Sequence, residues 1–200
     1  MKNLKTLNEA RHIAEELLSQ AKENEPNITA DLQNIALEVF AKIVGLENKF
    51  KTIESLTQKL MAMANLNSQT IVETSETIND ALRYTFILSV ENYVNFFQQT
   101  IEILWQSGYY VPENRIWNAW KNIGGKFDKG YRGINISVIS SQKQVFELQF
   151  HTDKSYKLKA EMHNLYKESR KKETSIERRR EIKRICIKGA EKIQIPDGVK

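Results

Sequence analysis

Residues 144–150 alternate strictly. Phe146, Leu148 and Phe150 fall on one side, with Val145, Glu147 and Gln149 on the other, the period-two pattern of a half-buried strand. A second strand pattern at 134–139 lies four residues upstream, across Ser140 to Lys143, so the two read as a hairpin. A hairpin with one apolar face needs that face covered, and the segments around it are helical in pattern. Residues 82–88, rich in β-branched and aromatic side chains, read as a buried strand. Residues 109–117 read as another, interrupted at Pro112.

Helical spacing dominates the rest. Leu7, Ala10, Ile13, Ala14, Leu17 and Leu18 share one face of a first helix. Pro26 predicts a break at Glu25-Pro26-Asn27, because proline disfavours helix at the residue before it. A second helical pattern runs through Leu32, Ile35, Val39 and Ile43 to Gly45, and a third spans 53–64, with a polar loop that admits helical turns over 65–79. Residues 92–106 return to helical spacing, and Gly124 to Gly130 reads as a flexible turn. From 153 the chain is helical again, through Tyr166 and then over 176–193. Helices, then strands mixed with helices, then helices predict an α+β fold with a central mixed β-sheet. The expected organisation is an N-terminal helical segment at 1–44, a core domain at 45–170, and a basic C-terminal helix and tail at 171–200.

Charge is concentrated rather than spread. Residues 167–192 hold eleven Lys and Arg against five Glu, in a chain whose formal net charge is +5. That block, with Arg170-Lys171-Lys172 and Arg178-Arg179-Arg180, suits either a solvated helix face or a polyanion. No apolar run reaches the roughly 20 residues that span a bilayer, and the N-terminus has no secretory signal pattern. The expected location is a cytoplasm, or a target cell reached by a signal-less route. The single cysteine, Cys186, sits among isoleucines and reads as a buried helix position.

The polar side of the 144–150 strand carries the candidate chemistry. Asp80 stands just before the 82–88 strand and Glu147 within its own, so the two carboxylates meet at one end of a sheet. Paired hard oxygen ligands are what Mg²⁺ takes when it bridges a triphosphate. Cations must then hold the phosphates, and Lys49, Lys51, Lys59 and Arg83 are the candidates.

These residues fall in blocks with a family likeness. Gly45 through Lys51, with Ser55 and Lys59 at four-residue steps, resembles the ATP-binding motif of RelA/SpoT alarmone synthetases. Gly130-Tyr131-Arg132-Gly133-Ile134-Asn135 resembles that family's Gly-Tyr-Arg-Ser-Leu-His segment. Phe146 through Thr152 is similar to its Glu-Ile-Gln-Ile-Arg-Thr strand, and Ala160-Glu161…His163…Tyr166-Lys167 to its following helix. The four blocks occur in the family's order.

The resemblance implies a nucleotidyltransferase-like sheet that uses Mg²⁺ and ATP as donor. It implies pyrophosphate transfer to the ribose hydroxyl of a purine nucleotide. Lys49 would face adenine, Lys51 and Lys59 the phosphates, and Ser55 would fix their loop. Asp80 would be the metal ligand, Glu147 would join the metal or assist deprotonation of the acceptor hydroxyl, and Arg83 would stand beside them in the catalytic group. Tyr131 would stack on the acceptor base, with Asn135, Gln149 and His151 completing the acceptor side. His163 and Tyr166 read instead as residues that lock their helix against the sheet. Asn135, His151 and Lys49 depart from the family's histidine and two arginines, so the acceptor is left open. The variant pattern looks like compact domains of bacterial toxins and secreted effectors, which implies a neutralising antitoxin as a partner. The basic C-terminal segment would suit tRNA as an alternative acceptor, and a non-catalytic nucleotide-binding module is a further alternative.

Overall fold

The computed structural model describes residues 2–171 and 173–200; Met1, and Lys172 of the basic segment, lie outside the described residues. Among the described residues one mixed sheet runs in the order β1 (Lys42–Val44), β2 (Arg83–Ile87), β5 (Val145–His151), β4 (Ile134–Ile139), β3 (Ile116–Asn118). The β2–β5 pair is parallel and the others are antiparallel. Helices α1 (Lys2–Glu38), α2 (Ile53–Asn67) and α3 (Ile71–Ser75) precede β2, and α4 (Tyr93–Gln106) follows it. Helices α5 (Asp153–Glu161), α6 (His163–Ser169) and α7 (Ile176–Ala190) close the chain. The α+β architecture with a helix-flanked mixed sheet is as expected, and β4–β5 is the predicted hairpin.

The break predicted at Pro26 does not form: α1 is one helix of 37 residues with Pro26 inside it. Proline removes one backbone hydrogen bond and crowds the preceding turn, at a cost of about 3 kcal/mol. The helix continues because both halves are buried. Ala10, Ala14 and Leu18 pack in a cluster with Leu56 and Leu60 of α2. Ile28, Leu32 and Ile35 pack against the sheet. At roughly 1.5–3 kcal/mol for each fully buried Leu or Ile side chain, the three residues beyond the proline outweigh its cost. The helix ends at Glu38, Phe40 takes a left-handed φ of 52°, and the segment read as helix up to Ile43 becomes edge strand β1.

Three other segments differ from their reading. α2 continues to Asn67, three residues beyond its expected end, and the helical turn admitted in the loop after it is α3, started by a reciprocal cap between Thr70 and Glu73. The 109–117 strand splits into a lone bridge from Tyr110 to Ile139 and the short β3 beyond Pro112. The glycine-rich turn is pinned rather than flexible: the Asp128 carboxylate accepts from the backbone of Gly124 and Gly130 and pairs with the Arg132 guanidinium at 2.9 Å, both side chains buried. Gly130 has φ +76°, and a Cβ there would come within 2.4 Å of the Cys186 backbone. Cys186 is buried on α7, as its isoleucine neighbours predict.

The sheet has two unlike faces. Tyr84, Phe86, Ile134, Ile136, Val138, Phe146, Leu148 and Phe150 form the apolar face, buried under α1 and α4. The register sets Arg83 beside Glu147 and Thr85 beside Gln149 across β2–β5. It sets Ser137 opposite Glu147, Asn135 opposite Gln149, and Trp117 opposite Asn135. Cross-strand partners share a face, so these residues form one continuous polar surface.

Candidate active site

One end of that surface is organised by the segment before α2. Its backbone pairs with the start of β2: Lys51 N–H donates to Ala81 O at 3.0 Å, and Arg83 N–H to Lys49 O at 2.8 Å. This pairing fixes Lys51 over Asp80. Lys51 Nζ lies 2.7 Å from Asp80 Oδ2, and Lys59 Nζ lies 2.8 Å from Oδ1. Burial pushes the Asp80 carboxyl up, but Lys59 and Lys51 together hold it below the ordinary aspartate value. Burial in turn lowers Lys51. Lys59 reaches Asp80 from the second turn of α2, whose N-terminus is capped by the Thr52 hydroxyl accepting from Ser55 N–H at 3.2 Å. Ser55 itself is exposed in the first turn, where the helix dipole and N–H groups favour anions.

Lys49 stands apart from this cluster. Its ammonium pairs with Glu25 of α1 at 2.8 Å. Glu25 also accepts from the Thr29 hydroxyl, which lies 2.8 Å from the Tyr84 hydroxyl. The long helix therefore reaches the candidate ATP side with a carboxylate. Its i, i+4 spacing to Thr29 is visible in the sequence; its partner is not.

Glu147 forms the centre of the other cluster. Asn135 Nδ2 donates to its Oε1 at 3.1 Å, and Gln149 Nε2 to its Oε2 at 2.6 Å. Burial raises its pKa and the Asp80 charge adds to this, against the Gln149 hydrogen bond, Arg83 and Lys159. Asp80 and Glu147 thus sense each other at one end of the sheet, with Arg83 beside Glu147. Lys159 of α5 donates to Gln149 Oε1, and burial lowers its ammonium to about 8.

The hydrogen-bond chain continues outward. The Tyr131 hydroxyl donates to Asn135 Oδ1 at 2.6 Å and lies 2.9 Å from His151 Nε2, whose other ring nitrogen lies 3.0 Å from Ser155 Oγ. His151 is fully buried, and burial holds it well below the ordinary histidine value, so it is neutral. A neutral imidazole does not replace the charge of the family arginine it stands for. Trp117 stacks on Tyr131 with ring centroids 5.2 Å apart and planes 24° from parallel. A cleft of about 430 Å³ opens beside these residues, lined by Asn79, Arg115, Trp117, Asn135, Ser137 and Glu147 among others.

The structure therefore brings together Lys51, Lys59, Asp80, Arg83 and Glu147, and beside them Tyr131, Asn135, Gln149 and His151. His163 and Tyr166 do not lock their helix against the sheet. Both are exposed, with Arg170 over the Tyr166 ring at 4.5 Å, while Ser155 and Leu158 are the buried residues of α5. Trp117, Arg115, Lys159, Asp128 and Glu25 were not marked by the motifs. An aromatic in a short edge strand and a lysine in a lysine-rich helix carry no distinctive spacing.

Among the described residues no group of three or more His, Cys, Asp or Glu side chains converges on a point. Asp80 and Glu147 carry oxygen donors of the kind Mg²⁺ takes, and in this arrangement those oxygens accept from Lys51, Lys59, Asn135 and Gln149.

No protein-family model and no curated protein matches the sequence. Solved structures do. The small alarmone synthetase 1 of Bacillus subtilis, solved with its product pppGpp, superposes with a TM-score of 0.60 at 16% identity, covering 88% of each chain. The chain has the fold of the small alarmone synthetases. Small alarmone synthetase 2 of the same organism gives a TM-score of 0.60 at 14% identity, over 88% of this chain and 90% of that one. The Type VI effector Tas1, solved with its immunity protein, gives 0.54 at 16% identity, over 90% and 96%. This fold agrees with the one implied by the likeness of the four sequence blocks. No helix among the described residues is long and apolar enough to cross a membrane.

Proposed function

We propose that the chain transfers a pyrophosphate group from ATP to a ribose hydroxyl of a purine nucleotide. The observation that carries this reading is the joint placement of Glu147 and Asp80. A half-buried carboxylate whose affinity for a proton is raised by desolvation sits beside a second carboxylate that holds two lysines. A catalytic base needs the first arrangement and a triphosphate site the second.

On this reading Lys51, Lys59 and the N-terminus of α2 take the donor phosphates, and Lys49 lies toward the adenine side with Glu25. Asp80 is the residue that would hold Mg²⁺, which would supply charge neutralisation on the phosphates, and Glu147 is kept for the acceptor proton. The acceptor hydroxyl oxygen bonds to the β-phosphorus of ATP, and the bond from that phosphorus to the α,β-bridging oxygen breaks. The hydroxyl proton passes to Glu147 and AMP leaves. Arg83 lies beside the reacting groups and counters the charge that builds on them. Gln149 and Asn135 hold Glu147 by both oxygens, so its orientation is set before substrate arrives.

The likeness to Tas1 along 90% of the chain favours a toxic effector as the biological setting, with a neutralising partner protein. The basic segment gives weaker support for a tRNA acceptor. Arg178 is engaged with Glu168 at 2.7 Å and Glu181 at 2.9 Å, and Arg179 donates to the Lys171 carbonyl, so part of its charge holds α7 to α6.

Incubation with ATP labelled at the γ-phosphate, with a panel of purine nucleotides and with tRNA tests the assignment. Label on a nucleotide supports it. Label only on tRNA moves the acceptor, and no label on either overturns it.

A further inference from the structure

The ring stack beside the cleft assigns two roles that the motif would give to one residue. Tyr131 occupies the position at which the family resemblance expects the acceptor base to stack. One face of its ring is covered, and it does not line the cleft. Trp117 lies over one side at 5.2 Å and 24°, and the His151 ring meets it edge-on at 5.2 Å. Its hydroxyl is spent on Asn135 and His151. Trp117, by contrast, is 46% exposed and lines the cleft.

We propose that Trp117 is the platform on which the acceptor base stacks, and that Tyr131 is a positioning residue that acts on Glu147 through Asn135. This rests on the proposed transfer reaction and specifies its acceptor side. The ligand class follows from the cleft. A flat heteroaromatic ring stacks on the indole face, since every nucleobase has a π-face to offer. Arg115, on the same wall, supplies a planar guanidinium for a phosphate. Asn79 brings amide polarity to the ring edge, held by its own bond to Ser137 Oγ at 2.7 Å. Glu147 lines the same cleft, and the ribose hydroxyl must reach it. A nucleotide with its base on Trp117 and its sugar toward Glu147 satisfies all four.

Tyr131 enters by another route. Its hydroxyl fixes the Asn135 amide by the oxygen, which turns the amide nitrogen onto Glu147. Loss of that hydroxyl frees the amide to rotate and releases one of the two donors that orient the base.

The two roles separate in kinetics and in binding. Trp117→Ala raises the acceptor KM by ~10-fold or more, as for loss of a base-stacking side chain, and leaves the ATP KM unchanged. Trp117→Phe restores most of the loss and Trp117→Leu does not. Tyr131→Phe lowers kcat and leaves the acceptor KM unchanged. An acceptor KM insensitive to Trp117→Ala, or raised by Tyr131→Phe at constant kcat, overturns the assignment. Tryptophan fluorescence tests the platform without turnover. In a Trp105→Phe background, which removes the exposed Trp105, GDP or ADP quenches emission, and the quench disappears when Trp117→Phe is added. Absence of quenching by either nucleotide overturns the subsite. Quenching without any transfer of label retains the subsite and overturns the reaction instead.

Discussion

The Asp80 carboxylate holds the Lys51 ammonium at 2.7 Å while its other oxygen holds Lys59. Two lysines from different parts of the chain are thereby gathered at the sheet end nearest Glu147. Asp80→Ala leaves two partly buried like charges without their partner. Transfer from ATP is expected to fall by ~100-fold or more, the scale seen when a preorganised charge-stabilising group is lost. Initial-rate assays at saturating ATP check this. A variant with full kcat would remove Asp80 from the machinery.

Lys159 is a cation below about pH 8 and loses its charge above. Its ammonium anchors Gln149, which in turn anchors Glu147, and Arg83 is the other cation facing that carboxylate. Activity is therefore expected to decline as pH rises through about 8. In Lys159→Met the overall rate is lower and this alkaline limb is absent. A pH–rate profile of both proteins decides; an alkaline limb that persists in the variant contradicts the assignment.

Asp128 stabilises the fold rather than the chemistry. Burial pushes its carboxyl up, but Arg132 and the Gly130 and Gly124 backbone donors hold it below the ordinary value. A carboxyl depressed in the folded state contributes stability above its unfolded pKa, and loses it as pH falls through the folded one. Urea midpoints are expected to drop on acidification below about pH 4. Asp128→Asn flattens that drop and costs about 3 kcal/mol at neutral pH by leaving Arg132 buried without its partner. An unchanged midpoint in Asp128→Asn would contradict it.

Pro26→Ala restores a backbone donor and removes a clash inside a continuous helix. Stability is expected to rise, by up to about 3 kcal/mol, with no change in the ATP KM. A lower melting temperature would contradict this.

The strands were legible because their patterning is local: 146, 148 and 150 alternate with 145, 147 and 149, and that alternation sets both sheet faces. The same local patterning marks Glu147, a carboxylate on the polar face of its strand, and Asp80, a carboxylate just before one. Pro26 misled because a local rule about one peptide was overridden by packing against α2 and the sheet, which no window of sequence contains. Trp117 carries no spacing signal because strand register brings it to Asn135, and Lys159 carries none because the packing of α5 brings it to Gln149. His163 and Tyr166 were misread as buried because Met162 separates α5 from α6, so the two residues do not continue the buried face of Leu158.

The most direct test of the central claim is the fate of ATP. Product analysis by phosphorus NMR, with a purine nucleotide acceptor and Mg²⁺, is expected to show AMP formed one-for-one with a nucleotide carrying a new pyrophosphate ester. Neither product should appear in a folded Glu147→Gln variant. ADP with inorganic phosphate as the products, or AMP formation undiminished in Glu147→Gln, would contradict it.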